Sequence, residues 1–362
     1  MTKNKTILLA AGGTGGHLFP AIAIAKELAK SQAKIHLITD YRCQKYLTKD
    51  LPITSHIFDL HLNMSNIFHK IKSAIKLLII CIKTIILIRK IKPKIIMGFG
   101  GYPSFPAMYA AKILRIPMII QEQNCFLGKS NRFFAKSAQL IALSYKETDN
   151  IDIEYKSKLL FTGDIVRSEI RALTQKDNFD SEEFHLFIFG GSQGAKIFST
   201  LIPDALDELK RINPKIKLSI TQQASKTEQK YLEKKYENIQ NIKYELAEFF
   251  YNMPEIYKKS QLVIARSGAS TIAELTNIGL PAIFIPLPHA SEDHQYFNAM
   301  AVANSSASWC YRQNEISASL LATKLNELIT DRELLKKASK QLLYRKSDGA
   351  KYLADTVLKI IE

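Results

Sequence analysis

Short apolar runs alternate with stretches of helical period along the chain, and this alternation sets the first expectations. Thr6–Ala11 reads as a buried strand that runs into Gly12-Gly13-Thr14-Gly15-Gly16. Pro20–Lys30 follows as a helix and Lys34–Thr39 as the next strand. Further on, Ile95–Met97 leads into Gly98-Phe99-Gly100-Gly101, Pro103–Leu114 reads as a helix and Pro117–Gln121 as a strand. Alternating β and α elements predict a parallel sheet covered by helices on both faces. The pattern restarts at His185–Phe189, which enters Gly190-Gly191-Ser192-Gln193-Gly194. A helix over Ile197–Arg211 and strands at Lys217–Thr221, Leu262–Ala265 and Ala282–Pro286 follow. The fold class is therefore α/β, with two Rossmann-like, doubly wound parallel-sheet domains. A ligand is expected between them, at the carboxyl ends of the strands. The junction is placed at Gly163, which gives domains over 1–163 and 164–341, with polar Thr174–Glu183 just inside the second.

Composition agrees with this division. A chain of 362 residues exceeds what one hydrophobic core usually serves. With 46% hydrophobic residues it is not a disordered chain. Its four cysteines, at positions 43, 81, 125 and 310, form no CxxC pair. That excludes a disulfide scaffold or zinc ribbon and fits a reducing cytoplasm. The apolar run after Lys5 is too short for a cleavable signal and leads straight into glycines.

Charge adds a feature that the periodicity does not show. The formal net charge is +16, and the segment from His61 to Gln121 contains ten Lys or Arg and no Asp or Glu. Its centre, Leu77 to Ile88, is aliphatic apart from Cys81, Lys83 and Thr84. A membrane span needs about 20 apolar residues, more than this run provides. On a helix, Lys72, Lys76, Lys83 and Lys90 fall within about 40° of one another, and Pro93 should end the helix. Two readings stand. One is a basic-rimmed apolar surface for an anionic membrane, with those four lysines at its edge. The other is a buried helix with one solvated lysine edge. Nucleic acid is disfavoured as a partner, because the segment lacks stacking aromatics and no nucleic-acid-binding signature is present.

The glycine-rich turns carry the chemistry. Gly12–Gly16 joins a strand to a helix, where backbone amides and a helix N-terminus suit an anion. The dinucleotide fingerprint fails, because the third glycine would fall on Leu18, and the turn at Gly190 lacks the Walker spacing. A tight strand-to-helix connection with no ligand is the competing reading for both turns. His17, at the mouth of the first turn, suits a general base, against the alternative of a helix-start histidine with no chemistry. After Leu262–Ala265 comes Arg266-Ser267-Gly268-Ala269-Ser270-Thr271, with Glu274 one helical turn beyond Ser270. A carboxylate there could accept ribose hydroxyls or be an ordinary surface residue.

Taken together, the motifs resemble the MurG family, N-acetylglucosaminyltransferases that make lipid II. The resemblance rests on Gly12–Pro20, Gly98–Tyr102, Glu122-Gln123-Asn124, Gly190–Ala195, Arg266–Ala269 with Glu274, and Asp293–Ala299, in the family's order over nearly the whole chain. It implies a GT-B fold and inverting transfer of N-acetylglucosamine from UDP-GlcNAc to the 4-hydroxyl of the muramic acid in lipid I. It also implies that His17 is the base, and that Thr14, Gly15, Gly16 and Asn124 face the sugar and diphosphate. Arg167, Ser192, Ala269, Ser270, Thr271 and Glu274 would hold UDP, with Phe250 by the uracil and Gln295 reading the sugar. Glu122, Gln193, His294 and Tyr102 are further candidates. The C-terminal segment, 342–362, is expected to return to the N-terminal domain as a helix. No cofactor and no metal are expected, as no Asp-x-Asp cluster occurs. The partners implied are UDP-GlcNAc, polyprenyl-diphosphate lipid I and the anionic cytoplasmic face of the bacterial plasma membrane. Contact with cell-wall synthesis proteins is left open.

Three departures stand out. Gln121 occupies the position where the family usually has His before Glu-Gln-Asn. The hinge reads Gly163-Asp164-Ile165-Val166-Arg167. The acceptor loop, Leu60–Asn66, lacks the family's Gly and Arg, with Lys70 and Lys72 as candidate substitutes. A GT-B glycolipid synthase acting on diacylglycerol is the alternative enzyme. A membrane- or RNA-binding module that kept the fold is the alternative without catalysis, and it predicts no protection by UDP against thermal unfolding.

Overall fold

A computed structural model of the chain describes residues 5–60, 65–173, 178–191 and 194–362. They divide into two compact units, Met1–Arg167 with Ser347–Glu362, and Ser168–Lys346.

The first unit holds seven parallel strands: β1 (Thr6–Ala10), β2 (Lys34–Asp40), β3 (Thr54–Phe58), β4 (Ile95–Gly98), β5 (Met118–Glu122), β6 (Leu140–Leu143) and β7 (Leu159–Phe161). Their order is β3-β2-β1-β4-β5-β6-β7, so the direction of winding reverses between β1 and β4. The helices are α1 (Gly15–Ala29), α2 (Ile67–Ile91), α3 (Phe105–Leu114) and α4 (Lys129–Ala135). The first helix begins at Gly15, ahead of the expected Pro20, because the glycine turn winds directly into it and Pro20 sits inside.

The second unit repeats the plan. A short helix α5 (Ser168–Arg171) precedes β8 (Glu183–Phe189), α6 (Lys196–Ile212), β9 (Lys217–Gln223), α7 (Lys226–Glu237) and β10 (Ile242–Ala247). Next come α8 (Met253–Lys259), β11 (Leu262–Ala265), α9 (Ala269–Ile278), β12 (Ala282–Phe284), α10 (His294–Ala303) and β13 (Trp309–Cys310). The unit closes with α11 (Ala318–Thr330) and α12 (Arg332–Leu343), and α13 (Gly349–Ile361) follows in the first unit. The sheet order β10-β9-β8-β11-β12-β13 again reverses between its first strand and the fourth. Central strands such as β11 are buried along their whole length, as a sheet covered on both faces requires.

Both unit boundaries have packing causes. Ile165 is buried in the core beside α1, and the Arg167 guanidinium lies 4.5 Å from the centre of the Phe19 ring, so residues 164–167 stay with the first unit. Leu343 packs against Gly279, which ties the end of α12 to the second unit. The returning helix is therefore Gly349–Ile361 and not the whole segment from 342. Its Ala350, Leu353, Ala354 and Val357 join the core with Leu18, Ala21, Ala25 and Leu28 of α1.

The basic helix α2 is capped by Asn66, whose side chain accepts from the His69 amide at 2.9 Å, and it ends at Lys92, just before Pro93. Ser73, Ile80, Cys81, Thr84 and Ile88 form its buried stripe. Ile71, Ile75, Leu78, Ile79, Ile82 and Ile86 lie on the opposite face and are between 47% and 62% exposed. The helix is thus not buried with a single solvated edge. Lys76 donates to Asp59 at 2.7 Å, so that lysine of the stripe is charge-paired. Among the described residues, no helix is long and apolar enough to cross a membrane.

Candidate active site

In the first unit, adjacent strands β1 and β4 each end in a glycine-rich turn at the point where the winding reverses. This is where open α/β sheets place ligands. Thr14 precedes α1, and Gly15, Gly16 and His17 form its first turn. The second turn passes along the edge of the His17 ring. At Gly101, φ is +68°, and a Cβ there would stand 3.0 Å from His17 Cδ2 and 3.1 Å from Nε2. Only glycine combines that conformation with that clearance. His17 Nδ1 lies 3.2 Å from Gln123 Oε1, a contact between residues 106 apart in sequence.

Glu122 is buried and organises the loop after β5. Its Oε1 accepts from the Asn124 amide at 3.0 Å and from Asn124 Nδ2 at 2.8 Å. Its Oε2 accepts from the Gly128 amide at 3.0 Å and from Asn131 Nδ2 at 2.8 Å. The carboxylate thus faces inward as a scaffold for Asn124. Asp40, fully buried at the end of β2, accepts from Arg42 Nε at 2.9 Å, and Arg42 also donates to the Tyr102 hydroxyl. This couples Tyr102 to a cation beside Gly13, where a Cβ would lie 3.3 Å from the Arg42 guanidinium. Arg167 lies over Phe19, which packs on Gly15, so it belongs with the α1 turn. Lys72, Lys76, Lys83 and Lys90 are on α2, away from these residues in sequence and element.

In the second unit, adjacent strands β8 and β11 lead to the turn at Gly190 and to the start of α9. Ser192 and Gln193 lie outside the described residues. Gln223 links two candidate segments: its Oε1 accepts from the Gly190 amide at 3.1 Å and its Nε2 donates to the Glu248 carbonyl at 3.0 Å. Ala269, Ser270 and Thr271 form the first turn of α9, where the helix dipole is positive. Glu274 is not an ordinary surface residue. It is buried, and Tyr257 donates its hydroxyl to Oε2 at 2.9 Å. The Phe250 ring is also buried, edge-on to Phe187 with centroids 5.7 Å apart.

Gln295 is fixed twice at the start of α10. Its Oε1 accepts from the Leu287 amide at 3.0 Å, and its carbonyl accepts from Ser267 Oγ at 2.7 Å. His294 Nδ1 is 2.6 Å from the Ser291 carbonyl. Before them, Glu292 and Asp293 both have left-handed φ, 54° and 52°, a costly backbone for non-glycine residues. Arg312 compensates: it donates to Asp293 at 2.7 Å and stacks on Tyr296 at 3.6 Å, and the Asp293 bond raises its pKa. Arg266, by contrast, is buried and donates to the carbonyls of Ile285 and Pro286 at 2.9 and 2.8 Å, so it braces the turn after β12. Burial lowers its pKa.

The first unit thus presents an imidazole at a helix start, and the second an amide-rich helix start next to a buried carboxylate. The first suits proton transfer and the second a nucleotide diphosphate with its ribose. Among the described residues, no three His, Cys, Asp or Glu side chains come together as metal ligands. Sequence reading did not find Arg42, Gln223, Tyr257 or Arg312. An acidic residue ending the second Rossmann strand was a usable signal for Asp40 and its partner; the others are joined to the site only through space.

Residues 7–143 match the glycosyltransferase family 28 N-terminal domain and residues 185–356 the glycosyltransferase family 28 C-terminal domain. The UDP-N-acetylglucosamine–N-acetylmuramyl-(pentapeptide) pyrophosphoryl-undecaprenol N-acetylglucosamine transferase of Rickettsia bellii (strain RML369-C) is 47% identical, over 99% of this chain and 100% of that protein. The protein of the same name from Rickettsia canadensis (strain McKiel) is 48% identical, over 99% and 100%. The solved structure of Acinetobacter baumannii MurG matches with a TM-score of 0.79 and 26% identity, over 98% of this chain and 99% of that one. A UDP-GlcNAc 2-epimerase from Neisseria meningitidis, at 15% identity and a TM-score of 0.66 over 98% and 100%, shares the fold alone. With both domains matched in order and relatives this similar over the full length, the chain belongs to the MurG family within glycosyltransferase family 28, and its two Rossmann-like units are those of the GT-B fold.

Proposed function

We propose that this protein moves N-acetylglucosamine from UDP-GlcNAc to the 4-hydroxyl of the muramic acid in lipid I, giving lipid II. The reading is carried by the near-full-length identity to relatives named for that reaction. In the proposed step the acceptor oxygen bonds to the anomeric carbon while the bond to the UDP oxygen breaks, with inversion. The hydroxyl proton passes to His17, and the electron pair leaves on the diphosphate. Arg167 and the starts of α1 and α9 offset that charge. Ser192 joins them at the phosphates, Glu274 takes the ribose, the loop at Phe250 takes the uracil, and Gln295 with His294 reads the sugar. Gln295 Oε1 is already occupied by Leu287, so its Nε2 is the atom offered to a sugar hydroxyl. Asn124 faces the sugar and diphosphate with the Thr14–Gly16 turn, and Tyr102 is a further candidate beside it.

The lipid acceptor brings the protein to the cytoplasmic face of the plasma membrane, in the membrane step of peptidoglycan precursor synthesis that underlies cell shape and division. The support is the outward aliphatic face of α2, flanked by Lys72, Lys83 and Lys90. Such a face suits the headgroup zone of an anionic leaflet. The test is UDP release and product formation with a lipid I analogue. His17→Ala should lower kcat by about a hundredfold or more with little change in KM for UDP-GlcNAc. Near wild-type turnover would remove His17 as the base, and turnover on diacylglycerol but not on lipid I would overturn the assignment.

A further inference from the structure

We propose that Gln123 is a positioning residue that locks His17 in the tautomer with its lone pair on Nε2, and that Gln121 in turn locks Gln123. The inference rests on His17 being the base.

The roles follow from what each partner can do. Gln123 Nε2 donates to the Phe99 carbonyl at 2.8 Å and to Gln121 Oε1 at 2.6 Å. Both are acceptors, so they fix the amide nitrogen on their side and turn Oε1 toward His17. An amide oxygen only accepts. His17 Nδ1, 3.2 Å away, must therefore be the protonated nitrogen, which leaves Nε2 as the basic one. Gln121 turns Oε1 to that donor, and its Nε2 donates on to Ser144 Oγ at 3.3 Å. Gln121, Gln123 and Ser144 are all buried, so water does not compete for these bonds. Gly101 passes along the Nε2 edge of the ring, where a Cβ would stand 3.1 Å from that nitrogen.

No member of the relay ionises. A carboxylate in place of Gln123 would favour the imidazolium and remove the lone pair at neutral pH. The carboxylate next in sequence, Glu122, is turned into its four bonds with the loop at 124–131. The relay therefore sets the tautomer without placing a charge beside the base.

The test uses the full chain labelled with ¹⁵N-histidine, with the His17 signals identified by their loss in His17→Asn. Wild type should show a protonated Nδ1 and an unprotonated Nε2. Gln123→Leu should shift the ring toward the Nε2–H form and lower kcat by about tenfold or more with KM for UDP-GlcNAc unchanged. Gln121→Leu should do the same to a smaller degree. Gln123→Glu, nearly isosteric, should move the acid limb of the pH profile of kcat/KM up by about one unit or more and recover activity above it. Protection by UDP against thermal unfolding should persist in all three. Unchanged His17 signals in Gln123→Leu, or an unmoved acid limb in Gln123→Glu, would overturn the relay. A wild-type enzyme that keeps the Nδ1–H signature but leaves lipid I unglycosylated would instead overturn the proposed reaction and leave the tautomer lock standing.

Discussion

Glu122→Gln tests whether a buried carboxylate shapes the loop that carries Asn124. The substitution keeps volume and shape and replaces one oxygen by an NH₂. Either oxygen now receives two N–H donors: Oε1 from the amide and side chain of Asn124, Oε2 from the Gly128 amide and Asn131 Nδ2. Whichever way the glutamine turns, two donors face a donor. Hydrogen bonds to a charged group contribute about 1.5–3 kcal/mol each, so two losses cost about 3 kcal/mol even at the low end. The first unit contains 167 + 16 = 183 residues. In a domain of that size each kcal/mol moves Tm by about 2–4 °C, so the expected fall is about 6–12 °C. Calorimetry should place that fall in the first unit's transition, leaving UDP binding to the second unit intact. Turnover should also drop, because the loop that carries Asn124 loses one of its two pairs of bonds to the carboxylate. A fall below about 2 °C with normal turnover would mean that those donors do not depend on the carboxylate, and the reasoning would fail.

Other expectations follow from the same structure. Tyr257→Phe removes the hydroxyl on Glu274 and keeps the ring, so UDP affinity should weaken about three- to tenfold by titration calorimetry while affinity for 2′-deoxy-UDP stays constant; equal losses for both would detach Glu274 from the ribose. Replacing Leu78, Ile82 and Ile86 with Ser should reduce binding to anionic vesicles by about tenfold or more without affecting UDP binding, since each buried aliphatic side chain contributes about 1.5–3 kcal/mol. Exchanging Lys72, Lys83 and Lys90 for Glu should act chiefly at low salt; vesicle binding unchanged by both sets would return α2 to some other use. His36 Nδ1 and His56 Nε2 are 3.0 Å apart across β2 and β3, and burial lowers the pKa of both, aided by Lys34 at His36 and by His36 at His56. The unfolded chain, with its ordinary value of 6.5, then binds more protons than the folded one, so stability should fall as pH drops below about 6.5. His56→Gln should flatten that slope in denaturant titrations at a series of pH values, and an unchanged slope would assign it elsewhere.

The central strands were legible because burial on both faces leaves them largely apolar, and three of them, Thr6–Ala10, Ile95–Gly98 and Glu183–Phe189, lead into glycine-rich turns. Edge strands were not. Thr54–Phe58 opens with three polar residues, Ile242–Ala247 alternates polar with apolar residues, and Leu159–Phe161 has only three residues. Leu140–Leu143 is largely buried, yet it lacks the glycine-rich turn that follows β1, β4 and β8. Pro20 misled the helix boundary because a proline can sit inside a helix when the turn before it already winds helically. At the site, local spacing exposed His17 and the α9 turn, since a turn and the helix after it are contiguous in sequence. What positions them is not: Gln123 meets His17 across 106 positions, and Tyr257 meets Glu274 from another helix.

The same limit applies to the charge. Of the +16, ten positive charges lie between His61 and Gln121, which leaves +16 − 10 = +6 for the other 301 residues. Counting alone could not say whether these lysines lined a solvated edge or framed a surface, because that depends on where the sheet lies. The structure puts the core against Ile80, Thr84 and Ile88, and this turns Leu78, Ile82 and Ile86 outward. Six exposed aliphatic side chains on one helix face are a liability in water unless something covers them. Lysines beside them oppose self-association and, on the proposed reading, select an anionic surface. Their attraction is screened beyond about 10 Å at 0.1 M salt, so they steer the encounter while the apolar face holds the contact. On that reading the asymmetry of charge and the asymmetry of grease are two parts of one docking device, and each should be separable from the other by salt.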